Sequence, residues 1–140
     1  MTTILKISEA ATIAIHSMVY LAKDAGRQIT VKEISKRLEI SENHLSKVLQ
    51  RLVKVKLVAS SKGPNGGFRL AKELSQINLL QVYEAIDGSF KNNNCLFRKT
   101  TCVCEECIMG DLIKSTNQKI KEYFEDKKLS DFVKGENLLS

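Results

Sequence analysis

Residues 30–70 of this 140-residue chain read TVKEISKRLEISENHLSKVLQRLVKVKLVASSKGPNGGFRL. Thr30, followed three residues later by Glu33, predicts a capping box in which the hydroxyl accepts a backbone N–H and the carboxylate bonds the cap residue's own N–H. A short helix follows, and then a tight turn that ends at Ser41, a second N-cap residue. The next segment has apolar side chains at the spacing of an amphipathic helix, namely Leu45, Val48, Leu49, Leu52 and Val53.

The end of this stretch predicts a β-hairpin. Residues 57–60 and 68–70 are short strand-like runs, and the glycine-rich segment 63–67 between them favours a tight turn. Helix, turn, polar-faced helix and hairpin is the order of a winged helix-turn-helix domain. Upstream, Ser8 caps a further helix, and downstream Asn78 caps a helix that ends at Gly88. The predicted fold class is therefore mainly α with a small β-hairpin wing.

The charge distribution supports a polyanion partner. The net charge of +6 divides unequally, with +8 over residues 1–72 and −2 over residues 73–140. A basic N-terminal half is typical of nucleic-acid binding, although a solvated lysine-rich surface is the alternative. No apolar run reaches the ~18 residues of a membrane span, and the N-terminus lacks an export pattern, so a cytoplasmic protein is expected. No catalytic constellation is present, so we do not expect an enzyme.

The DNA-contacting residues are predicted on the second helix of the motif and on the wing. A helix in the major groove needs polar side chains on its outer face, although almost any surface helix has such a face. We expect base or groove contacts from Asn43, His44, Ser46, Lys47, Gln50 and Arg51. We expect backbone contacts from Lys54, Lys62 and Arg69, with Asn65 and Gly66 at the tip of the wing.

Four cysteines lie within thirteen residues, in the pattern C-x6-C-x-C-x2-C. They are Cys95, Cys102, Cys104 and Cys107. Thiolates this close together can converge on one soft metal centre, and both zinc and iron–sulfur clusters accept such ligands. A thiol switch remains open, with Cys95 and Cys107 as the more favourable oxidised pair.

The chain resembles the Rrf-two family of bacterial winged-helix regulators, the group that contains IscR, NsrR and CymR. The resemblance rests on LKIS at residues 5–8, GPNGGFRL at residues 63–70 and LSDFV at residues 129–133. It implies a homodimer that binds a palindromic operator in double-stranded DNA. It also implies three regions: a DNA-binding domain (1–88), a cysteine-rich sensor loop (89–104), and a dimerisation helix with a C-terminal tail (105–140). An apolar stripe along the last helix agrees with this: Ile108, Leu112, Ile113, Thr116, Ile120, Tyr123 and Phe124.

The resemblance further implies an iron–sulfur cluster in the cysteine loop, [2Fe–2S] by preference, with [4Fe–4S] or zinc as alternatives. Cys95, Cys102 and Cys107 match the family's three cysteines best, although their spacing departs from the commonest pattern. Gly110 stands where some members have a histidine, so the fourth ligand is Cys104 or Glu9, which aligns with an N-terminal carboxylate that some relatives supply from the partner subunit.

The expected function is a transcriptional regulator whose operator binding responds to redox, nitric oxide or iron–sulfur status. One alternative is a cluster-free regulator that uses zinc, thiol oxidation or a partner protein as its signal. A second alternative is a small electron-transfer protein.

Overall fold

A computed structural model describes residues 7–90, 108–109 and 111–133 of the chain. Three helices precede a two-stranded antiparallel hairpin, which is followed by two further helices. The elements are α1 (Glu9–Lys23), α2 (Val31–Leu38), α3 (Glu42–Lys54), β1 (Val58–Ser61), β2 (Gly67–Leu70), α4 (Leu79–Asp87) and α5 (Leu112–Asp126). Short 3₁₀ helices cover Leu74–Gln76 and Leu129–Phe132. The predicted fold class, mainly helical with a hairpin wing, is confirmed.

The helix starts lie where the capping residues predicted them. The side chain of Ser8 accepts the backbone N–H of Ala11, and the side chain of Ser41 accepts that of His44. Asn78 forms a complete capping box with Gln81, and α4 ends at Gly88 as expected. Each cap satisfies a first-turn N–H that has no partner within its own helix, so these starts depend only on neighbouring residues.

The predicted capping box at α2 is half wrong. The hydroxyl of Thr30 accepts the Glu33 N–H at 3.1 Å as expected. The Glu33 carboxylate, however, accepts hydrogen bonds from Arg27 (Nη2–Oε2 2.8 Å) and from the Tyr20 hydroxyl (2.9 Å). A charge-assisted bond to a guanidinium is stronger than one to a neutral backbone N–H, so the carboxylate joins α2 to the end of α1.

The core lies between α1, α3 and α4, and it also includes the chain that follows α5. Leu129 is fully buried among residues of the winged-helix domain. Its N–H donates to the Ile77 carbonyl at 2.9 Å, and the Leu79 N–H donates to the Lys127 carbonyl at 3.0 Å. Residues 127–129, which follow α5, are therefore held to the winged-helix core by backbone pairing and by the burial of Leu129.

The last helix begins later than the sequence predicted. We expected a start near residue 105, but residues 108, 109 and 111 form a turn and α5 begins at Leu112. A glycine within a helix costs about 1 kcal/mol relative to alanine, and Gly110 weakens any earlier start. Phe124, one residue of the predicted apolar stripe, is buried. The centroid of its ring lies 5.8 Å from the centroid of the Tyr83 ring.

The wing pairs with a third backbone segment as well as with itself. In the hairpin, Ala59 lies opposite Arg69. Ile29, in the segment that joins α1 and α2, pairs with Phe68 through two backbone bonds of 2.9 and 2.7 Å. Gly67 permits this pairing, because a Cβ there would lie 2.7 Å from the Ile29 carbonyl oxygen. The base of the wing is thus attached to the helical core.

Candidate nucleic-acid interface

Helix α3 has one buried side and one polar side. Its four core residues are at most 2% exposed, which directs the remaining positions toward solvent. Of the predicted contact residues on α3, His44 and Ser46 are partly exposed, and the others are exposed: Asn43, Lys47, Gln50, Arg51 and Lys54. The structure therefore leaves the predicted face free to meet a ligand.

Arg51 has an intramolecular partner that the sequence did not predict. Its guanidinium donates to the Ile86 carbonyl at 2.5 Å, in the last turn of α4. The last carbonyls of a helix have no partner in their own helix, so a cationic donor there is favourable. Arg51 therefore connects α3 to the end of α4. This bond restricts the side chain, so Arg51 is less able to turn outward toward a DNA groove than the sequence suggested.

The wing presents three of its predicted contact residues to solvent and uses the fourth in its turn. Lys62, Asn65 and Arg69 are exposed. Gly66 is partly buried, and its N–H donates to the Gly63 carbonyl at 2.9 Å. A Cβ at Gly66 would lie 2.4 Å from the Ser61 carbonyl oxygen, so the tight turn itself requires a residue without a side chain.

The lysines of this surface are free to pair with an anionic ligand. Within residues 7–90, 108–109 and 111–133, the ion pairs link Arg27 to Asp24 and Glu33, and Lys121 to Glu125. Over the same ranges Lys47, Lys54 and Lys62 have no acidic partner. Unpaired surface ammonium groups are the groups that replace counterions along a phosphate backbone.

The four cysteines lie outside the described residues, but the chain on the N-terminal side of their loop is described. Ser8 donates from its N–H and its hydroxyl to the Asp87 carboxylate at 3.2 and 2.5 Å, so the start of α1 lies beside the end of α4. The Phe90 N–H donates to Glu84 at 2.7 Å. Glu9 is exposed in the first turn of α1, near the point where the chain leaves α4 for the cysteine loop.

The described part of the chain contains neither a metal-binding cluster of side chains nor a membrane-spanning helix. No group of three His, Cys, Asp or Glu side chains there could hold a metal ion. None of its helices has the length and apolar character of a membrane span.

Ile29 was not among the residues singled out from the sequence, yet it joins the wing to the core through its backbone hydrogen bonds with Phe68. It lies between the first two helices. Ile29 is fully buried, and an isolated apolar residue between Gly26 and Thr30 was the available signal of a buried strand.

An exposed polar helix face beside a basic hairpin is the arrangement that DNA-binding winged-helix proteins use. Residues 7–135 match the Rrf2 family, which is described as an iron-dependent transcriptional regulator. This is the Rrf-two family that the sequence resembles. The chain belongs to this family. It is a DNA-binding transcriptional regulator and not an enzyme, as the sequence predicted.

The relatives agree with this assignment over most of their length. The chain is 32% identical to the transcriptional regulator NsrR of Oceanobacillus iheyensis over 111 residues, 78% of this chain and 76% of the relative. It is 28% identical to IscR of Sodalis glossinidius, over 96% of this chain and 82% of the relative. Among solved structures, CymR, the global cysteine regulator of B. subtilis, has the same fold, with a TM-score of 0.78 and 24% identity over 93% of this chain and 97% of CymR.

Proposed function

We propose that the protein binds a palindromic operator as a homodimer, with α3 of each subunit in the major groove and each wing on the adjacent backbone. The observation that supports this most strongly is the outer face of α3, which is polar and exposed beside unpaired lysines. Groove contacts come from Asn43, His44, Ser46, Lys47 and Gln50, and phosphate contacts from Lys54, Lys62 and Arg69. Asn65 and the Gly66 backbone approach the DNA at the wing tip, while Arg51 acts by orienting α3.

The dimer proposal rests on the apolar surface of α5. Leu112 is 59% exposed and Tyr123 is 50% exposed, while Ile113 and Ile120 are only partly covered. Large apolar side chains at helical spacing are costly to leave in water, and a second copy of α5 would bury them. We expect Leu112→Asp to give a monomer in sedimentation. A dimer that withstands this change would contradict an interface on α5.

We further propose that the cysteine loop binds an iron–sulfur cluster. The donor set fits: thiolates from Cys95, Cys102 and Cys107 are soft ligands, and either the Cys104 thiolate or the Glu9 carboxylate completes the coordination. A bound cluster would supply a centre sensitive to oxidants and nitric oxide. The family's description as iron-dependent supports this assignment.

A physical route joins this loop to the DNA-binding helix. The loop follows α4, and the last turn of α4 accepts the guanidinium of Arg51 from α3 through the Ile86 carbonyl. On its other side the loop precedes α5, the proposed dimer helix. A change in the order of the loop can therefore alter both the orientation of α3 and the separation of the two α3 helices in the dimer.

The second candidate function is a regulator without a cluster. Its support is the fold shared with CymR, the global cysteine regulator of B. subtilis, and a thiol set that also suits zinc or reversible oxidation. Membership in a family of transcriptional regulators does not favour the electron-transfer alternative.

The test of the cluster is anaerobic purification followed by a visible spectrum and analysis of iron, sulfide and zinc. A broad charge-transfer band with matched iron and sulfide is the expected result. Single replacement of each cysteine by serine, and Glu9→Gln, would then identify the ligands, with Glu73→Gln as a matched exposed control. Colourless, iron-free protein that also fails reconstitution would contradict the cluster and favour the second candidate.

The test of DNA binding uses palindromic duplexes selected from a random library and titrated in the loaded and cluster-free states. Arg69→Ala should weaken binding to every sequence and lower the slope of log K against log salt by about one, because one phosphate contact is lost. A loss confined to one base position would mean that Arg69 reads a base. Equal affinities of the two states would contradict sensing through the loop but not DNA binding.

A further inference from the structure

One polar side chain outside the predicted DNA-binding set lies against the wing arginine. Gln28 is partly buried in the segment that joins α1 and α2. In the amide orientation that satisfies its neighbours, its nitrogen donates to the Gly67 carbonyl at 3.2 Å. Its oxygen accepts from Arg69 Nε at 3.3 Å and from the Ser61 hydroxyl at 3.2 Å. The opposite orientation would set the amide oxygen against the Gly67 carbonyl and the amide nitrogen against the arginine N–H.

Gln28 contacts only one of the three guanidinium nitrogens of Arg69, namely Nε. Arg69 is an exposed residue on β2, and a free arginine side chain loses conformational entropy when a ligand immobilises it. The bond to Nε removes part of that freedom before DNA arrives, which lowers the cost of binding. The terminal amino groups of the guanidinium are not used by Gln28 and remain available for a phosphate.

The amide is itself held in place by both strands of the hairpin. Ser61 is the last residue of β1, and it lies opposite Gly67, the first residue of β2. Gln28 contacts both, and the next residue, Ile29, is paired with Phe68. The donor and acceptor of the amide are therefore aligned by backbone that belongs to the core.

We propose that Gln28 is a positioning residue that holds the Arg69 guanidinium ready for a DNA phosphate. This inference rests on the phosphate contact of Arg69 in the proposed function. A neutral amide suits the task because it accepts from Nε without neutralising the positive charge. A carboxylate at the same place would form an ion pair with the guanidinium and compete with the phosphate.

The experiment is a double-mutant cycle between Gln28→Ala and Arg69→Ala, read as the Kd of one palindromic duplex across a range of salt concentrations. Gln28→Ala alone should weaken binding about fivefold, as expected for loss of one ordering hydrogen bond. In the Arg69→Ala background it should have no further effect. Gln76→Ala, at an exposed glutamine outside the wing, is the control and should leave the Kd unchanged.

A second variant separates positioning from simple support of the wing. Gln28→Glu keeps the size of the side chain and should lower the salt slope by about one, because the paired guanidinium no longer displaces a counterion. An equal loss from Gln28→Ala with and without Arg69, or an unchanged salt slope in Gln28→Glu, would overturn the positioning role. If Arg69→Ala itself leaves the Kd unchanged, the phosphate contact in the proposed function fails, and the role of Gln28 fails with it.

Discussion

Replacing Gly67 with alanine is expected to separate the wing from the core. Gly67 has φ 152°, a region that L-residues avoid, and a Cβ there would lie 2.7 Å from the carbonyl oxygen and 2.9 Å from the carbonyl carbon of Ile29. Real Cβ atoms do not approach backbone so closely, so one of the two segments must move. The two backbone bonds between Ile29 and Phe68 join these same segments and would be lost.

The magnitude follows from a comparison with Gly63 in the same hairpin. Gly63 also has positive φ, 100°, but a Cβ there meets nothing within 4 Å. Gly63→Ala should therefore cost only the backbone strain, about 1 kcal/mol. Gly67→Ala adds the loss of two backbone hydrogen bonds, each worth about 1 kcal/mol, and the clash itself. We expect about 3–5 kcal/mol for Gly67→Ala, a large part of the ~5–15 kcal/mol typical of a domain.

Urea denaturation of both variants measures these costs, and DNA titration measures their consequence. Gly67 lies two residues from Arg69, so its displacement should also weaken DNA binding at temperatures where the variant remains folded. Gly63→Ala should retain most of the affinity. Equal free energies of unfolding for the two variants would refute the argument that close approach to Ile29, rather than backbone conformation alone, requires glycine at residue 67.

Three further predictions concern stability. Leu129→Ala should destabilise the protein by about 3 kcal/mol because the side chain is fully buried in the winged-helix core. The control, Val55→Ala at a residue 46% exposed, should change stability by less than about 0.5 kcal/mol. Similar urea midpoints for the two variants would contradict the buried position of Leu129. Ser17→Ala should stabilise the protein by about 1 kcal/mol, because the buried hydroxyl has no hydrogen-bond partner among the described residues, and a lower midpoint would show that the hydroxyl is satisfied. The Arg27 bond, and then the Tyr20 bond, lower the pKa of Glu33 below its ordinary value of 4.5, so wild type should exceed Glu33→Gln in melting temperature at neutral pH. That difference should diminish below pH 4.5 and vanish once the folded carboxyl protonates; a difference that persists there would mean that the ion pair is not its source.

The parts of the fold and site that could be predicted are those that depend on nearby residues. Ser41 caps α3, and the apolar stripe of α3 faces the core as its spacing required. The same periodicity correctly placed Lys47 and Gln50 on the exposed side. Local hydrogen bonds and helical spacing act over about four residues, so they are visible in the sequence alone.

The parts that could not be predicted depend on residues far apart in the chain. Glu33 was expected to cap its own helix, but Arg27 and Tyr20 lie close enough in the folded protein to take its carboxylate. The position of Arg51 on the polar face of α3 gave no indication that the end of α4 would supply an acceptor for its guanidinium. Each of these outcomes is a competition between partners, and the sequence does not say which partner is within reach.

By itself, therefore, the sequence determined a winged-helix regulator of the Rrf-two type: which segments form helices, which helix face is polar, and where the wing turns. Only the tertiary structure decided that Leu129 completes the first domain's core, that Ile29 pairs with the wing, and that Gln28 contacts Arg69. The physical reason is the separation along the chain of the residues that interact. Capping and periodicity are properties of consecutive residues, whereas burial and backbone pairing between distant segments exist only after the whole chain has packed.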